Sequence, residues 1–262
     1  MERLDKELVK RGLAESRTRA QELINNGLVA VNNKIVTKLS YNVADVDTIT
    51  IQNNELFKYV SRGGFKLEKA INAFGYNMAG KIVMDIGSST GGFTDCALQN
   101  GAKKVLAIDV GTDVMHPSLR SDSRVELHEN TNIKDVPLEY FDDIDVIVVD
   151  VSFISISKLI EKVASSKKVL DMLCLIKPQF ECGKEIASKY NGLILNKEVH
   201  HKILQSMIDI FNHYGFGVLG LDYSPIKGGD GNIEYIAHIT NKTQDNIQIN
   251  IKKLIDLAFE KK

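Results

Sequence analysis

Four charged residues stand where predicted strands end, and their positions suggest a ligand site. Asp85, Asp109, Asp150 and Lys177 each close an apolar run of the sequence. Ligands of parallel sheets bind outside the carboxyl ends of the strands, so we expect these four side chains to face one crevice. One charged strand end is commonplace, but four on the same edge are harder to explain by solubility alone.

A glycine-rich turn follows the first of these strands, with the sequence Asp-Ile-Gly-Ser-Ser-Thr-Gly-Gly-Phe over residues 85–93. Glycines let backbone N–H groups approach a ligand, and the helix that begins after them offers unpaired donors. Asp109, about 20 residues further on, is placed to accept ribose hydroxyls, so the stretch suits a nucleotide-like ligand. Its spacing is neither G-x-G-x-x-G nor a phosphate-binding Walker loop. An ordinary βα turn is the alternative explanation.

The other reactive residue types predict no second site. The six histidines are scattered and the three cysteines form no C-x-x-C pair, so neither a metal site nor a disulfide framework is indicated. The serines lack a G-x-S-x-G elbow. No apolar run approaches ~20 residues, and the amino terminus is polar from the start. We therefore expect a cytoplasmic protein with no metal and no stable membrane insertion.

The elements that carry these residues alternate between strands and helices. Strands are predicted at 81–86, 103–109, 124–129, 144–150, 169–177 and 218–223, and helices at 94–99, 196–214 and 249–259. This alternation predicts an α/β fold with a mainly parallel sheet. A further helix follows Gly64 and carries Lys66 in its first turn, where a cation gains nothing from the helix dipole. Local grounds alone favour a surface lysine there.

Residues 1–52 show a different pattern, which predicts a small α+β module. Two helices, the second capped by Ser16, precede short strands at 28–31, 34–36 and 47–51, and polar residues 53–58 predict a linker to a second domain, 59–262. Residues 1–81 carry 13 Lys and Arg against 9 Asp and Glu, whereas 82–262 carry 20 against 25. A basic front on an acidic body favours contact with a polyanion, although a solvated helix surface is the alternative.

The spacing of the front module resembles an RNA-binding domain of the ribosomal protein S4 type. The matching residues are Arg3-Leu-Asp-x-x-Leu-x-x-Arg11-Gly, followed by Ser16-Arg17-x-x-Ala20-x-x-Leu23-Ile. With the motifs at 59–66, 85–93, 150–155, 177–181 and 231–234 in this order, the whole chain resembles the TlyA family. That family joins such a module to an FtsJ-like methyltransferase domain.

The resemblance implies a Rossmann-like class I methyltransferase sheet behind a small amino-terminal RNA-binding domain. It implies S-adenosylmethionine as methyl donor and ribosomal RNA, or a ribosomal subunit, as partner. The methylated group would be a ribose 2′-hydroxyl, of cytidine in the known members. The family's catalytic tetrad corresponds to Lys66, Asp150, Lys177 and Glu234. We expect Lys177 to act as general base, Lys66 as an orienting cation and the two acids as positioning groups.

The resemblance also distributes the binding residues. The donor site would comprise Asp85, Gly87, Ser89, Gly91, Gly92, Phe93, Asp109, Asn130 and Asn132. The glycines would approach the methionine part and Asp85 its amine, Asp109 would bind the ribose, and Asn130 or Asn132 would lie near the adenine edge. Phe93 can equally serve only for packing. The expected RNA contacts are Arg3, Lys10, Arg11, Arg17, Arg19 and Arg62.

Two functions of other classes compete with this interpretation. A membrane-active haemolysin, a label that some relatives carry, would need an amphipathic or apolar membrane segment, and the sequence shows none that is convincing. A non-catalytic RNA-binding factor for ribosome assembly would need a broken tetrad or donor pocket. All the matching positions are intact here, which favours the enzyme.

Overall fold

The structure is a computed structural model that describes residues 1–51, 58–152, 155–168, 170–243 and 245–260. The chain divides into two compact units, Met1–Lys58 and Tyr59–Lys262. Residues 53–57 of the predicted linker lie outside the described residues, as do Phe153 and Ile154 of the motif at 150–155.

The first unit combines two helices with short antiparallel strands. Its elements are β1 (Glu2–Arg3), α1 (Leu4–Lys10), α2 (Arg17–Asn25), β2 (Val29–Val31), β3 (Lys34–Ile35), β4 (Asn42–Val43) and β5 (Ile49–Ile51). The strand order is β3-β2-β5 in one sheet, and β1 pairs with β4 in another. Asn32 and Asn33 both have positive φ and form the hairpin turn predicted from their sequence. As predicted, the Ser16 side chain caps α2 by accepting from Arg19 N.

The second unit alternates strands and helices. Its elements are α3 (Gly63–Phe74), β6 (Ile82–Ile86), α4 (Gly92–Gln99), β7 (Lys104–Ile108), α5 (Pro117–Arg120), β8 (Val125–His128), β9 (Val146–Val149), α6 (Ile156–Ser165), β10 (Asp171–Ile176), α7 (Pro178–Glu181), α8 (Gly183–Lys189), α9 (Lys197–His213), β11 (Gly217–Tyr223), β12 (Tyr235–Thr240) and α10 (Ile251–Glu260). Two short 3-10 helices, Ile133–Asp135 and Leu138–Phe141, separate β8 from β9.

Within the described residues, seven of these strands form one sheet in the order β11-β12-β10-β9-β6-β7-β8. Strands β8, β7, β6, β9 and β10 run parallel, whereas β12 is antiparallel to both of its neighbours. The predicted α/β architecture with a mainly parallel, Rossmann-like sheet is confirmed. Strands β9 and β10 are buried along their whole length because helices cover both faces of the sheet.

Two hydrophobic layers flank the sheet. Helices α3 and α4 pack on one face, and α6, α9 and α10 pack on the other. Helix α6 is absent from the predicted elements, although its buried apolar residues recur at helical spacing: Ile156, Leu159, Ile160 and Val163. None of the described helices is both long and apolar enough to span a membrane.

The strand order creates one point where the chain changes direction across the sheet. From β6 the chain proceeds to β7 and β8 on one side, and it returns to β9 and β10 on the other. The carboxyl ends of β6 and β9 therefore lie side by side, and the loops that follow them diverge. A crevice opens at such a switch point, which is where α/β sheets bind ligands.

The core beneath α9 supports a stability prediction. Phe211 is fully buried, whereas Leu257 on α10 is 43% exposed. We expect Phe211→Ala to lower the free energy of unfolding of the second unit by about 3–5 kcal/mol, since it leaves a cavity, and Leu257→Ala to change it by at most about 0.5 kcal/mol. Urea denaturation followed by circular dichroism measures both. Equal losses in the two variants would contradict the packing described.

Candidate active site

Three neighbouring strands bring acids and a lysine to one edge of the sheet. Lys177 directly follows β10, and Glu234 directly precedes β12. Because Ile176 pairs with Tyr235 in the antiparallel ladder, Lys177 and Glu234 leave the sheet opposite each other. Asp150 follows β9, which runs parallel to β10. The sheet register therefore fixes three of the four residues of the predicted tetrad.

Helix α3 supplies the fourth residue from above the sheet. Lys66 is only 8% exposed, and its Nζ lies 2.6 Å from Glu234 Oε2 and 3.8 Å from Asp150 Oδ2. The start of α3 is held tightly in place, because a Cβ on Gly64 would lie 2.3 Å from Tyr59 Cγ. Lys66 is thus not the surface lysine that its local sequence favoured.

The second lysine shares one of these acids. Lys177 Nζ lies 2.5 Å from Asp150 Oδ1 and donates to Ser152 Oγ at 3.1 Å. From the sequence, the serines are candidates only as nucleophiles, so this contact is not predicted. The position of Ser152 two residues after a strand-end acid was the signal available.

The four side chains form a continuous array of alternating charge: Glu234, Lys66, Asp150 and Lys177. Lys66, Lys177 and Glu234 are each less than 9% exposed, so their charges have lost most of their hydration. A buried charge is tolerated when it is paired, and here two ammonium groups balance two carboxylates. The structure brings the predicted tetrad together in one place, with both amines held in defined positions.

Asp85 lies near the carboxyl end of β6, and only one of its two buried carboxylate oxygens has a hydrogen-bond partner among the described residues. Its Oδ2 accepts from Thr94 Oγ1 at 2.6 Å, whereas Oδ1 has no partner among the described residues. Burial raises the pKa of Asp85 to about 7, although the Thr94 hydrogen bond opposes that rise. The Ser88 hydroxyl is likewise buried without a partner in the described part of the chain. Unpaired buried acceptors are costly, so this turn suits a ligand that donates hydrogen bonds.

Asp109 is oriented by the backbone around it. Its Oδ2 accepts from Ser89 N at 2.8 Å and its Oδ1 accepts from Gly111 N at 2.7 Å. A carboxylate has about four acceptor sites, so hydroxyl donors can still bind to this half-buried group. The contact with Ser89 joins the glycine turn to the end of β7. The ribose-binding role of Asp109 stays a prediction.

Protein atoms lie close to each glycine of the turn, and a positive φ is a second reason for glycine at Gly87 and Gly91. Gly87 has φ +83°, and a Cβ there would lie 2.7 Å from the Asp150 carbonyl oxygen. At Gly91 and Gly92, a Cβ would lie 2.3 Å from Leu119 Cδ1 and from Ser61 Oγ, respectively. Protein atoms therefore occupy the side where these two residues lack a side chain. Phe93 is 4% exposed and packs in the core between the sheet and α3.

The two asparagines lie beside the end of β8. Asn130 is exposed with φ 50°, and Thr131 N donates to Asp109 O at 2.9 Å, so this loop follows the strand end that carries Asp109. Asn132 is also exposed, and its Oδ1 caps a 3-10 turn by accepting from Lys134 N at 3.1 Å. Asn132 therefore has a structural role, and its position near the adenine edge stays a prediction.

The predicted RNA contacts divide between the two units. Arg3, Lys10, Arg11, Arg17 and Arg19 lie on or next to α1 and α2, whereas Arg62 is exposed before α3 in the second unit. All five residues of the first unit have acidic neighbours. Arg3 and Arg17 bind Asp5, Arg11 and Lys10 bind Glu7, and Arg19 binds Glu22. Their charges are thus partly balanced within the module.

Comparison with known proteins divides the chain in the same way. Residues 59–241 match the family described as FtsJ-like methyltransferase, and residues 2–49 match the S4 domain. Hemolysin A of Brachyspira hyodysenteriae is 46% identical over 239 residues, covering 90% of this chain and 98% of that protein. The 16S/23S rRNA (cytidine-2′-O)-methyltransferase TlyA of Mycobacterium tuberculosis is 35% identical over 256 residues, covering 97% and 94%.

A solved structure is similar over nearly the whole chain. A protein from Streptococcus thermophilus that carries a hemolysin name shares 38% sequence identity and a TM-score of 0.76. The match covers 99% of this chain and 96% of that one.

The crevice at Gly87 supports a prediction with a matched control. Gly80 has a similar φ of +74°, but no atom lies within 4 Å of the position that a Cβ would take there, whereas Gly87 faces the Asp150 carbonyl. Gly80→Ala should therefore show only backbone strain, about 1 kcal/mol, and Gly87→Ala should lose a further 1–3 kcal/mol, roughly, from the collision. Thermal and urea unfolding of the two variants measure this difference. Equal stability would show that the ends of β6 and β9 are not in contact.

Proposed function

This chain belongs to the FtsJ-like methyltransferases that carry an S4 domain, and we propose that it methylates a ribose 2′-hydroxyl of ribosomal RNA, with cytidine as the nucleoside. The family, the enzyme class and the donor S-adenosylmethionine, all predicted from the motifs, are confirmed. The observation that carries the proposal is the buried array of two lysines and two acids beside the glycine turn. The substrate is the one named for the Mycobacterium tuberculosis relative.

The residues at the ends of β6 and β7 fit the donor. Asp85 Oδ1, buried without a partner among the described residues, is suited to accept hydrogen bonds from the amino group of the methionine part. The Asp109 carboxylate, fixed by two backbone N–H groups, is suited to the ribose hydroxyls. S-adenosylmethionine supplies a methyl group on a sulfonium that is already activated for transfer, so positioning the acceptor supplies much of the remaining rate.

The tetrad acts on the acceptor. A ribose hydroxyl is a poor nucleophile, so its proton must leave as the oxygen is methylated. We assign Lys177 Nζ as the base that takes this proton, after the resting ammonium group has released a proton of its own to solvent. Asp150 and Ser152 occupy two of the hydrogen-bonding positions of that nitrogen and hold it in place. Lys66, held by Glu234, is the cation that orients the 2′-oxygen.

In this proposal the two units have different functions. Residues 1–52, with Arg62, bind the RNA, and residues 59–262 carry out the transfer. The natural substrate is ribosomal RNA or a ribosomal subunit, so we expect the protein to act in the cytoplasm. The S4 domain at residues 2–49 supports the first part, and the FtsJ-like match at 59–241 supports the second.

Radiolabelled donor tests the activity directly. The purified protein is incubated with methyl-labelled S-adenosylmethionine and ribosomal subunits from cells that lack its gene. The RNA is then hydrolysed with alkali, which cannot cleave next to a 2′-O-methyl group. Label should appear in alkali-resistant dinucleotides that begin with methylated cytidine. Label in ordinary mononucleotides, or none in RNA, would refute the proposal.

Removing the proposed base gives a sharper prediction. Lys177→Met should reduce the single-turnover rate by about 10²–10⁴-fold, because the 2′-hydroxyl loses its proton acceptor. The control is Lys69→Met, which removes a lysine on α3 that binds Asp222 and not the tetrad. It should leave the rate within about twofold. Donor affinity, measured by calorimetry, checks that Lys177→Met remains folded, and a normal rate in that variant would rule out the assigned role.

The pKa of Asp85 predicts how donor binding depends on pH. With the pKa raised to about 7 by burial, the carboxylate that receives the donor's ammonium forms only as the pH rises through that value. Donor affinity should therefore increase from about pH 5.5 to 7.5 and level off above, and Asp85→Asn should bind weakly without this dependence. The free protein should show the opposite trend, losing stability as the pH rises toward 7. Calorimetric titration across this range measures donor affinity, and urea unfolding of the free protein at the same pH values measures its stability. A flat profile for the unmutated protein would contradict the assignment.

A further inference from the structure

One fully buried carboxylate in the first unit binds two arginines at once. The side chain of Asp5 has no exposed surface. Arg3 donates to it from Nε at 3.0 Å and from Nη2 at 3.1 Å, and Arg17 donates from Nε at 3.1 Å and from Nη2 at 3.0 Å. Gln21 Nε2 adds a weaker contact at 3.3 Å. Two guanidinium groups are therefore held side by side on a single anion.

Each guanidinium uses only one of its edges on Asp5. Both arginines donate through Nε and Nη2, and Nη1 of each has no acceptor among the residues that the structure describes. The arginine side chains are 40% and 53% exposed, in contrast to the buried acid beneath them. A guanidinium has five donors, and its second edge matches the spacing of phosphate oxygens. The cluster keeps one net positive charge on its exposed side.

The positions of these arginines are unfavourable unless they have another purpose. Arg3 immediately precedes α1, and Arg17 is the first residue of α2. The amino-terminal end of a helix carries partial positive charge and disfavours a cation. Asp5 offsets this repulsion for both helices. Such an arrangement brings two cations to one place, which suits an anion.

Arg11, in the same unit, differs from these two arginines because its guanidinium group is fully engaged in contacts within the protein. Its Nε donates to Glu7 Oε1 at 2.8 Å, its Nη1 to Asp47 O at 2.7 Å and its Nη2 to Ala44 O at 3.0 Å. The side chain is only 24% exposed. All three nitrogens are thus used within the unit, where they fasten α1 to the turn before β5.

We propose that Asp5 is a positioning residue that presents Arg3 and Arg17 as a paired clamp for one phosphate of the RNA backbone. In this assignment Arg11, predicted from the sequence as an RNA contact, is structural. The inference rests on the proposed function, in which the first unit binds ribosomal RNA. It names the phosphate-binding pair within that unit and the acid that organises it.

The ionisation state of Asp5 is consistent with its role as a positioning residue. Burial alone raises the pKa of the Asp5 carboxyl, but hydrogen bonds from Arg3, Gln21 and Arg17 outweigh it and hold the pKa well below its usual range. Asp5 is therefore charged at neutral pH, where it holds both guanidinium groups.

Neutralising Asp5 separates positioning from simple electrostatics, because the two effects have opposite signs. If Asp5 only repelled the RNA, Asp5→Asn would tighten binding, since the module gains a positive charge. If Asp5 holds the clamp, the same variant should bind about tenfold more weakly. The slope of log affinity against log salt should also become shallower by about 1, as phosphate contacts are lost. Filter binding with unmethylated 16S and 23S rRNA transcripts, at several KCl concentrations, measures both.

Asp47→Asn is the matched control. Asp47 is another hydrogen-bonded acid of the unit, accepting from Ala44 N at 2.7 Å and from Asn32 Nδ2 at 2.8 Å, and it does not contact the clamp. An asparagine there keeps an acceptor for Ala44 N and changes the net charge by the same amount. Its affinity for the transcripts should equal or slightly exceed that of the unmutated protein.

A second variant tests the clamp if Asp5→Asn fails to fold, which circular dichroism would show. Arg17→Lys retains the charge and loses the planar fork, so it too should bind about tenfold more weakly, whereas unchanged affinity would overturn the clamp. Tighter or unchanged binding by folded Asp5→Asn would overturn the positioning role. Failure of the unmutated protein to bind or methylate any transcript would instead count against the proposed function.

Discussion

The catalytic half of this protein depends on the burial of four charges that neutralise one another. Lys66, Lys177 and Glu234 are almost inaccessible to water, and each finds its counter-charge within 2.6 Å, with Asp150 between the two lysines. Removing one member of such a group leaves another charge buried and uncompensated, which typically costs about 3–5 kcal/mol. The array is therefore as much a structural constraint as a chemical one. It fixes the position of α3 over the edge of the sheet.

The glycine turn after β6 and the charged array are adjacent because of the strand order. The return of the chain from β8 to β9 places Asp150 beside the glycine turn that follows β6, so close that residue 87 has no room for a side chain. Three acids, Asp85, Asp109 and Asp150, then end neighbouring strands within one crevice. Their mutual repulsion contributes to the raised pKa of Asp85, after burial itself. A ligand that carries positive charge and hydroxyl groups would reduce this repulsion between the carboxylates.

The sequence predicted the parts of this site that depend on local pattern. Apolar runs ending in a charge located Asp85, Asp109, Asp150 and Lys177, since a strand and its end are local features. Lys66 and Glu234 are 168 positions apart, and only resemblance to a family joined them. Neither the hydrogen bond from Lys177 to Ser152 nor the close packing at Gly91 and Gly92 could be predicted, because both depend on side-chain placement across separate elements. Helix α6 is different: it was not predicted, although its apolar residues recur at helical spacing.

The ladder between β10 and β12 has a consequence for how this chain can diverge. Lys177 and Glu234 meet because Ile176 pairs with Tyr235, and side chains alternate between the faces of a strand. An insertion of one residue inside β12 would turn the carboxylate to the wrong face, whereas the turn at residues 224–230, which precedes the motif at 231–234, lies outside the ladder. Among natural homologues, length differences should therefore accumulate in that turn and be absent from the strand.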